Sequence, residues 1–291
     1  MFPRLILCLA AGWALLPSAW AQREMGGRST SPSSESGATA AEVIRDAAVA
    51  EAAEAAQAEA APRAMPLDGV PRIARIAWYG HAFVYIVTPT GVRVAIDPYE
   101  SNNLQYTFPR NLAADVVLTS NERPDHAAAS RLMGNPQIFR SYTAVGSNRA
   151  NGLLFKGVEV PSEPRKDFDV SKSIAFVFDV DGLNYAHFGM LGDRLSGPEA
   201  RAIGKVDVVF LPVGKKELSS HDIEKVVKDL GAKVIVPIVY KTDKSAEYDL
   251  NTLEEFLEKT EYPVKEIDSH EFSLSEQTLP SEPTVYILKA T

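Results

Sequence analysis

Ile73-Ala74-Arg75-Ile76-Ala77-Trp78-Tyr79-Gly80-His81-Ala82-Phe83-Val84-Tyr85-Ile86-Val87 runs into Thr88-Pro89-Thr90-Gly91 and then Val92-Arg93-Val94-Ala95-Ile96. Three apolar, β-branched runs are separated here by Gly and Pro signals. The pattern predicts strands over Ile73–Trp78, Ala82–Val87 and Val92–Ile96, the last two joined by a tight turn. Further along, Asp115–Thr119 reads as a short buried strand. Ile174–Val180 and Leu183–His187 flank an Asp181-Gly182 hairpin turn. Val206–Leu211, Lys233–Val239 and Thr284–Leu288 read as further strands. Ile223, Val226, Val227 and Leu230 fall on one face of a helix over Ser220–Leu230, and a second helix is expected over Leu253–Lys259. Hairpins come first and strand–helix alternation later, a mixture that suits sheet layers covered by helices, in the α/β (α+β) class.

Outside this region the chain changes character. Arg4, an apolar run from Leu5 to Leu16 and the small-x-small Ala19-Trp20-Ala21 read as a signal peptide over residues 1–21, and so as periplasmic or secreted. The single cysteine, Cys8, lies within that segment, so the remainder offers no disulfide, thiolate ligand or cysteine nucleophile. Residues 22–38, rich in Ser, Gly and Arg, read as a linker, and the Ala/Glu-rich residues 39–65 as a helix or spacer. The folded domain is assigned to residues 66–291. The whole chain, 45% hydrophobic and 23% charged, can build an ordinary core, and its formal charge of -8 argues against a nucleic-acid partner. No segment after the signal is long and apolar enough for an integral membrane helix.

Trp78-Tyr79-Gly80-His81-Ala82-Phe83, Ile96-Asp97-Pro98-Tyr99, Asp115–Ser120 with Pro124-Asp125-His126, Ala186-His187-Phe188-Gly189, Asp207–Gly214 and Val236–Thr242 form an ordered series. The series resembles the metallo-β-lactamase-fold hydrolases, in particular their small ascorbate-6-phosphate lactonase-like branch. The resemblance spans about Ile73 to Leu288. It implies a four-layer αβ/βα sandwich with a site at the rim between two sheets, where one or two zinc ions activate water against an ester, lactone, amide or phosphodiester.

The family's His-x-His-x-Asp-His motif aligns with Asn121-Glu122-Arg123-Pro124-Asp125-His126, so Asn121 and Arg123 replace the first two ligands. Ser162-Glu163-Pro164-Arg165 lies where a third His is expected, Met190 where a bridging Asp is, and Val239 where the last His is. Asp125 and His126 alone match. Two protein ligands are short of what zinc takes. The expectation is therefore a protein that has lost its two-zinc centre, needs no cofactor, and binds a small anionic ligand or an envelope protein. Arg123, Asn121, Asp193 and Lys215, with Lys216, are the candidate ligand-binding groups, since guanidinium and ammonium groups hold carboxylates and phosphates. The bland alternative pairs Arg123 with Asp125 or Glu122 and leaves the lysines solvated. A further reading keeps a divergent hydrolase with a single zinc. Asp125, His126, His81 and Asp193 would then be its working groups, with His81, Asp97 or Asp193 recruited to the metal. Ser220-His221-Asp222 holds the residue types of a triad, but adjacent residues do not converge, and Ser219 or Ser220 serves better as a helix N-cap. His270, in a polar stretch, reads as a surface loop residue.

Overall fold

The computed structural model describes residues 73–100, 104–162, 172–180 and 182–290. The signal segment, the linker and the Ala/Glu-rich stretch lie outside the described residues, as do Glu163-Pro164-Arg165 and Asp181. The described residues all fall in the compact unit Pro62–Thr291.

Among the described residues, fourteen strands form two sheets. The first is six-stranded, in the order β13-β1-β2-β3-β4-β5. Its strands are β1 (Ala74–Trp78), β2 (Val84–Val87), β3 (Arg93–Ile96), β4 (Val116–Leu118), β5 (Gln137–Phe139) and β13 (Glu271–Leu274). The second is eight-stranded, in the order β12-β14-β11-β10-β9-β8-β7-β6. It comprises β6 (Gly146–Ala150), β7 (Leu153–Pro161), β8 (Lys172–Val180), β9 (Leu183–His187), β10 (Val208–Pro212), β11 (Val234–Ile238), β12 (Val264–Ile267) and β14 (Thr284–Leu288). Both sheets are mixed: β1 runs antiparallel to β2 and to the distant β13, β3 runs parallel to β4, and β9, β10 and β11 are mutually parallel.

Strand alternation decides the layering. Ile76, Trp78, Val84, Ile86, Val94, Ile96, Val116 and Leu118 share one core with Phe176, Phe178, Tyr185 and Phe210 of the second sheet. The intervening Ala77, Tyr85, Ala95 and Val117 build a separate cluster with Tyr99, Leu104, Tyr106, Ala129 and Leu132. Period-2 alternation thus sends one face of the first sheet into the sandwich and the other under the chain that follows β3. The helix α1 (Gly197–Ile203) packs on β7 and on α2 (Ser220–Leu230). The helix α2 buries Ile223, Val226, Val227 and Leu230, and its start is fixed by a capping box between Ser219 and Asp222. The short helix α3 spans Leu253–Leu257.

This is the sandwich expected from the sequence, with loops and a short 3-10 turn (Ala129–Arg131) supplying much of the cover on the first sheet's outer face. Six elements were not anticipated: β5, β6, β7, α1, β12 and β13. Among the described residues no helix is long and apolar enough to cross a membrane.

Candidate metal centre

The carboxyl ends of parallel strands converge on one rim of the sandwich, the usual place for a site in sheets of this kind. Three buried non-glycine residues there hold left-handed backbones: His81 (φ 49), Asp97 (φ 53) and Val239 (φ 50). His81 follows the Gly80 turn after β1, Asp97 follows β3 directly, and Val239 follows β11 directly. A β-branched residue rarely takes this conformation, and surrounding contacts must hold it there. The Val239 N–H donates to the His81 carbonyl (3.1 Å), and the Val239 carbonyl accepts from Gly214 N–H (3.1 Å). The Trp78 indole N–H donates to the same His81 carbonyl (2.9 Å). These bonds anchor the His81 turn to the second sheet and fix the direction of its ring.

The result is a group that sequence spacing does not show. His81, Asp125 and His126 are all buried, and one ligand atom from each lies within 4.8 Å of the others. His81 Nε2 stands 3.8 Å from Asp125 Oδ2. Two ligands about 2.1 Å from one ion lie at most about 4.2 Å apart, so the three need only a slight contraction to share one. His126 Nδ1 hydrogen-bonds Asp125 Oδ1 at 2.9 Å. With that nitrogen carrying the proton, His126 Nε2 is left with a lone pair. It is buried and has no hydrogen-bond partner among the described residues, as is true of both ring nitrogens of His81. Buried polar atoms are nearly always satisfied, so orphaned imidazole nitrogens beside one carboxylate need an explanation. A bound cation would account for one nitrogen on each ring.

The electrostatics keep the donors in ligating form. Burial, reinforced by neighbouring His126 and opposed by Asp125, pushes the His81 pKa down to about 3, so its ring is neutral with a lone pair available. Asp125 is held well below the usual carboxylate range: its own burial acts the other way, but the bonds and charges of His126 and Arg123 outweigh it. The Tyr248 hydroxyl lies beside this carboxylate, its pKa pushed up to about 12 by burial and by Asp125, and its ring packs 5.2 Å from that of His81.

A second polar group forms the floor. Asp97 accepts from the Ser120 N–H and hydroxyl, both at 2.6 Å. His187 Nε2 meets the Ala82 carbonyl (2.9 Å), and its Nδ1 accepts from Gly189 N–H (3.2 Å). That pattern assigns the proton to Nε2. Its imidazole is therefore neutral, in keeping with a pKa lowered by burial. Asp97 and His187 are thus committed to holding the β4 and β9 ends.

The other sequence candidates fall as follows. Arg123 grips Asp125 through Nε (3.1 Å to Oδ1) and Nη2 (2.9 Å to Oδ2), while Glu122 pairs with Arg140. Asn121 is buried and turns its amide oxygen to the Arg123 N–H. Asp193 accepts from the Arg194 N–H (2.8 Å) and has no place in the three-residue group. Lys215 pairs with Glu217 and Lys216 with Asp249. Met190 and Val239 are buried apolar residues. His221 is exposed on the helix that Ser219 caps, and His270 is half-buried, its ring 5.6 Å from that of Tyr79. The expectation that no cofactor is needed is therefore not supported. It counted two ligands because His81 lies far upstream in the chain, and only the left-handed turn after Gly80 brings it to Asp125 and His126.

Residues 75–239 match the family model for the Beta-lactamase superfamily domain. A metal-dependent hydrolase from Methanosphaerula palustris is 26% identical over 211 residues, covering 64% of this chain and 92% of its own. One from Methanobrevibacter smithii is 24% identical over 204 residues, covering 60% and 84%. A Thermotoga maritima crystal structure, assigned to the zinc-dependent hydrolases of the metallo-β-lactamase superfamily, superposes with a TM-score of 0.59 at 29% identity, covering 75% of this chain and 100% of its own.

Proposed function

This chain belongs to the Beta-lactamase superfamily domain family, and we propose that it is a metal-dependent hydrolase working with a single divalent cation held by His81, Asp125 and His126. The relatives are metal-dependent hydrolases, which favours the divergent-hydrolase reading over loss of activity. The observation that carries the reading is the set of orphaned nitrogens on two buried histidines that flank one carboxylate. Three protein ligands with an open position are the usual catalytic arrangement for zinc, whereas closed structural sites take four.

A cation bound there would act as a Lewis acid and lower the pKa of water to about 7. The chain's own residues supply the rest. His81 stays neutral because it is buried. Asp125 stays ionised and orients His126 through the Nδ1 bond, an arrangement that sharpens the other ring nitrogen as a ligand. The Tyr248 hydroxyl keeps its proton and bonds Asp125, helping to orient that carboxylate. Bonds between the two sheets, from Val239 to His81 and from His187 to Ala82, hold these groups in place as substrate arrives. The export read from residues 1–21 rests on that sequence pattern alone.

The test compares the full chain, chelator-stripped and reloaded with zinc or manganese, on carboxylic esters, lactones and phosphodiesters. Turnover of at least one class only in the reloaded protein, and its loss in Asp125→Ala, is the expected result. Equal rates with and without metal across all three classes would show that the scaffold has been kept for another purpose.

A further inference from the structure

A catalytic cation needs an open coordination position that substrate can reach, yet the candidate centre is closed off: His81 and His126 are 0% exposed and Asp125 4%. Tyr248 lies on this group. Its ring packs 5.2 Å from that of His81, its hydroxyl bonds Asp125, and it is itself only half-buried. It belongs to the loop that joins β11 to α3. The neck of that loop is fixed: the Lys241 N–H donates to the Asn251 carbonyl (2.9 Å), and the Asn251 N–H to the Gly214 carbonyl (2.8 Å). The first turn is fixed as well, by the bond between the Tyr106 and Thr242 hydroxyls (2.8 Å), the Gln105 N–H on the Lys244 carbonyl (2.7 Å) and the fully buried Ser245. The tip, residues 246–249, differs. Ala246, Glu247 and Asp249 are exposed. The backbone bonds of Tyr248 stay within the loop, from its N–H to the Ser245 carbonyl (3.0 Å) and from the Leu250 N–H to its carbonyl (3.0 Å). The tip is tied to the rest of the protein by the Tyr248 side chain and by an exposed Lys216–Asp249 ion pair, and pairs of that kind contribute little. On its outer side a cavity of about 550 Å³ is lined by Thr242, Ala246, Leu253 and Glu254, so packing against α3 does not hold the tip in place. A short segment with few buried contacts opens at low cost while its surroundings stay folded.

Resting on the reading of His81, Asp125 and His126 as a metal centre, we infer that Tyr248 determines access to it. Small molecules reach the centre when the tip swings outward, lifting the ring off His81 and breaking the bond to Asp125. With the tip closed, the same ring shuts bulk water out and the phenol orients the carboxylate. The neck and first turn stay in place during the movement, because their bonds run to Gly214, Gln105 and Tyr106 rather than to the tip.

The experiment treats the full chain, stripped with chelator, with diethyl pyrocarbonate, which acylates neutral imidazoles that it can reach. Mass spectrometry follows the rate at each histidine in wild type, Tyr248→Phe and Tyr248→Ala. The exposed His221 sets the reference rate, and His187, fully buried in the floor, reports on the fold as a whole. Relative to His221, the rate at His81 is expected to rise about tenfold or more in Tyr248→Ala, which removes both the ring and the bond. In Tyr248→Phe, which keeps the ring and loses the bond, a rise of about threefold is expected. His187 should stay within about twofold throughout. A His81 rate that is unchanged, or that rises no more than that of His187, overturns the gate. If Tyr248→Ala alone loosens the whole fold, Tyr248→Phe decides by the same criterion. A parallel series with zinc added keeps the two readings apart. Shielding of His81 and His126 by zinc is expected in wild type. No shielding in any protein overturns the metal-centre reading and the gate built on it, whereas shielding combined with a His81 rate that ignores Tyr248 overturns the gate alone.

Discussion

His81→Leu is expected to weaken metal binding by about 100-fold or more and, in the presence of chelator, to raise the melting temperature. The two effects have one origin. His81 is fully buried and neither ring nitrogen has a hydrogen-bond partner among the described residues. A buried polar group left unsatisfied costs about 1–3 kcal/mol, and leucine of similar size removes it. A stabilisation of about 1–2 kcal/mol should raise the melting temperature of a domain this size by roughly 3–6 °C. The backbone bonds to the His81 carbonyl from Trp78 and Val239 do not depend on the side chain, so the turn survives. The loss of affinity follows from removing one of three ligands, and should exceed the 10–100-fold typical of losing an outer-shell partner. A core substitution that stabilises the metal-free protein while destroying metal binding marks a residue kept for a ligand. A His81→Leu protein that melts lower than wild type in chelator, with metal affinity intact, would mark His81 as packing.

Gly189→Ala is expected to lower stability by roughly 3 kcal/mol, a drop in melting temperature on the order of 10 °C. Gly189 follows β9 with φ +50, and an added Cβ would lie 2.2 Å from the Ser120 hydroxyl oxygen and 2.4 Å from its Cβ. Ser120 is fully buried and bonded to Asp97 through both its N–H and its hydroxyl, so it has nowhere to go without breaking the floor of the centre. Gly91→Ala separates this contact from backbone strain. Gly91 has φ +87 but open space around the new methyl, so only the conformational cost remains, about 1–2 kcal/mol. Equal losses from the two variants, measured by thermal or denaturant unfolding, would show that the tight approach of β9 to Ser120 carries no weight.

The fold was readable wherever local pattern and tertiary role agree. The strands from Ile73 to Ile96 alternate or run apolar because the first sheet is buried on both faces, and α2 shows its stripe because one face packs inward. The missed elements lack such a signature. In β12, Val264-Lys265-Glu266-Ile267, no residue is fully buried, and β5 is a three-residue edge strand with Ile138 exposed. The β6–β7 hairpin did carry a signal: Asn151-Gly152, both at positive φ, closes the loop between Ala150 and Leu153. This is the two-residue turn that Asn-Gly favours.

The site was half legible. Asp125 and His126 stand next to each other in a motif and could be found there. The pairing of Arg123 with Asp125 was anticipated as the bland alternative. His81 was named for the single-zinc reading, but its convergence on Asp125 and His126 was hidden because it depends on a left-handed turn and on bonds from the opposite sheet, neither of which has a periodic trace. Its position directly after Gly80 was the available clue, since a glycine before a lone histidine at a strand end allows the chain to reverse into the rim. An added Cβ at Gly80 would lie 2.4 Å from the Tyr106 ring, so that close approach requires glycine.

The most direct measurement is the metal content of the full chain, purified without a metal-affinity tag and equilibrated in turn with zinc, manganese and iron, alongside His81→Ala, Asp125→Ala and His126→Ala. About one tightly held equivalent of at least one of these metals is expected in the parent protein, as befits a three-ligand site, with loss of that equivalent in each variant. Less than about a tenth of an equivalent in the parent protein for every metal, or one equivalent that survives all three substitutions, would contradict it.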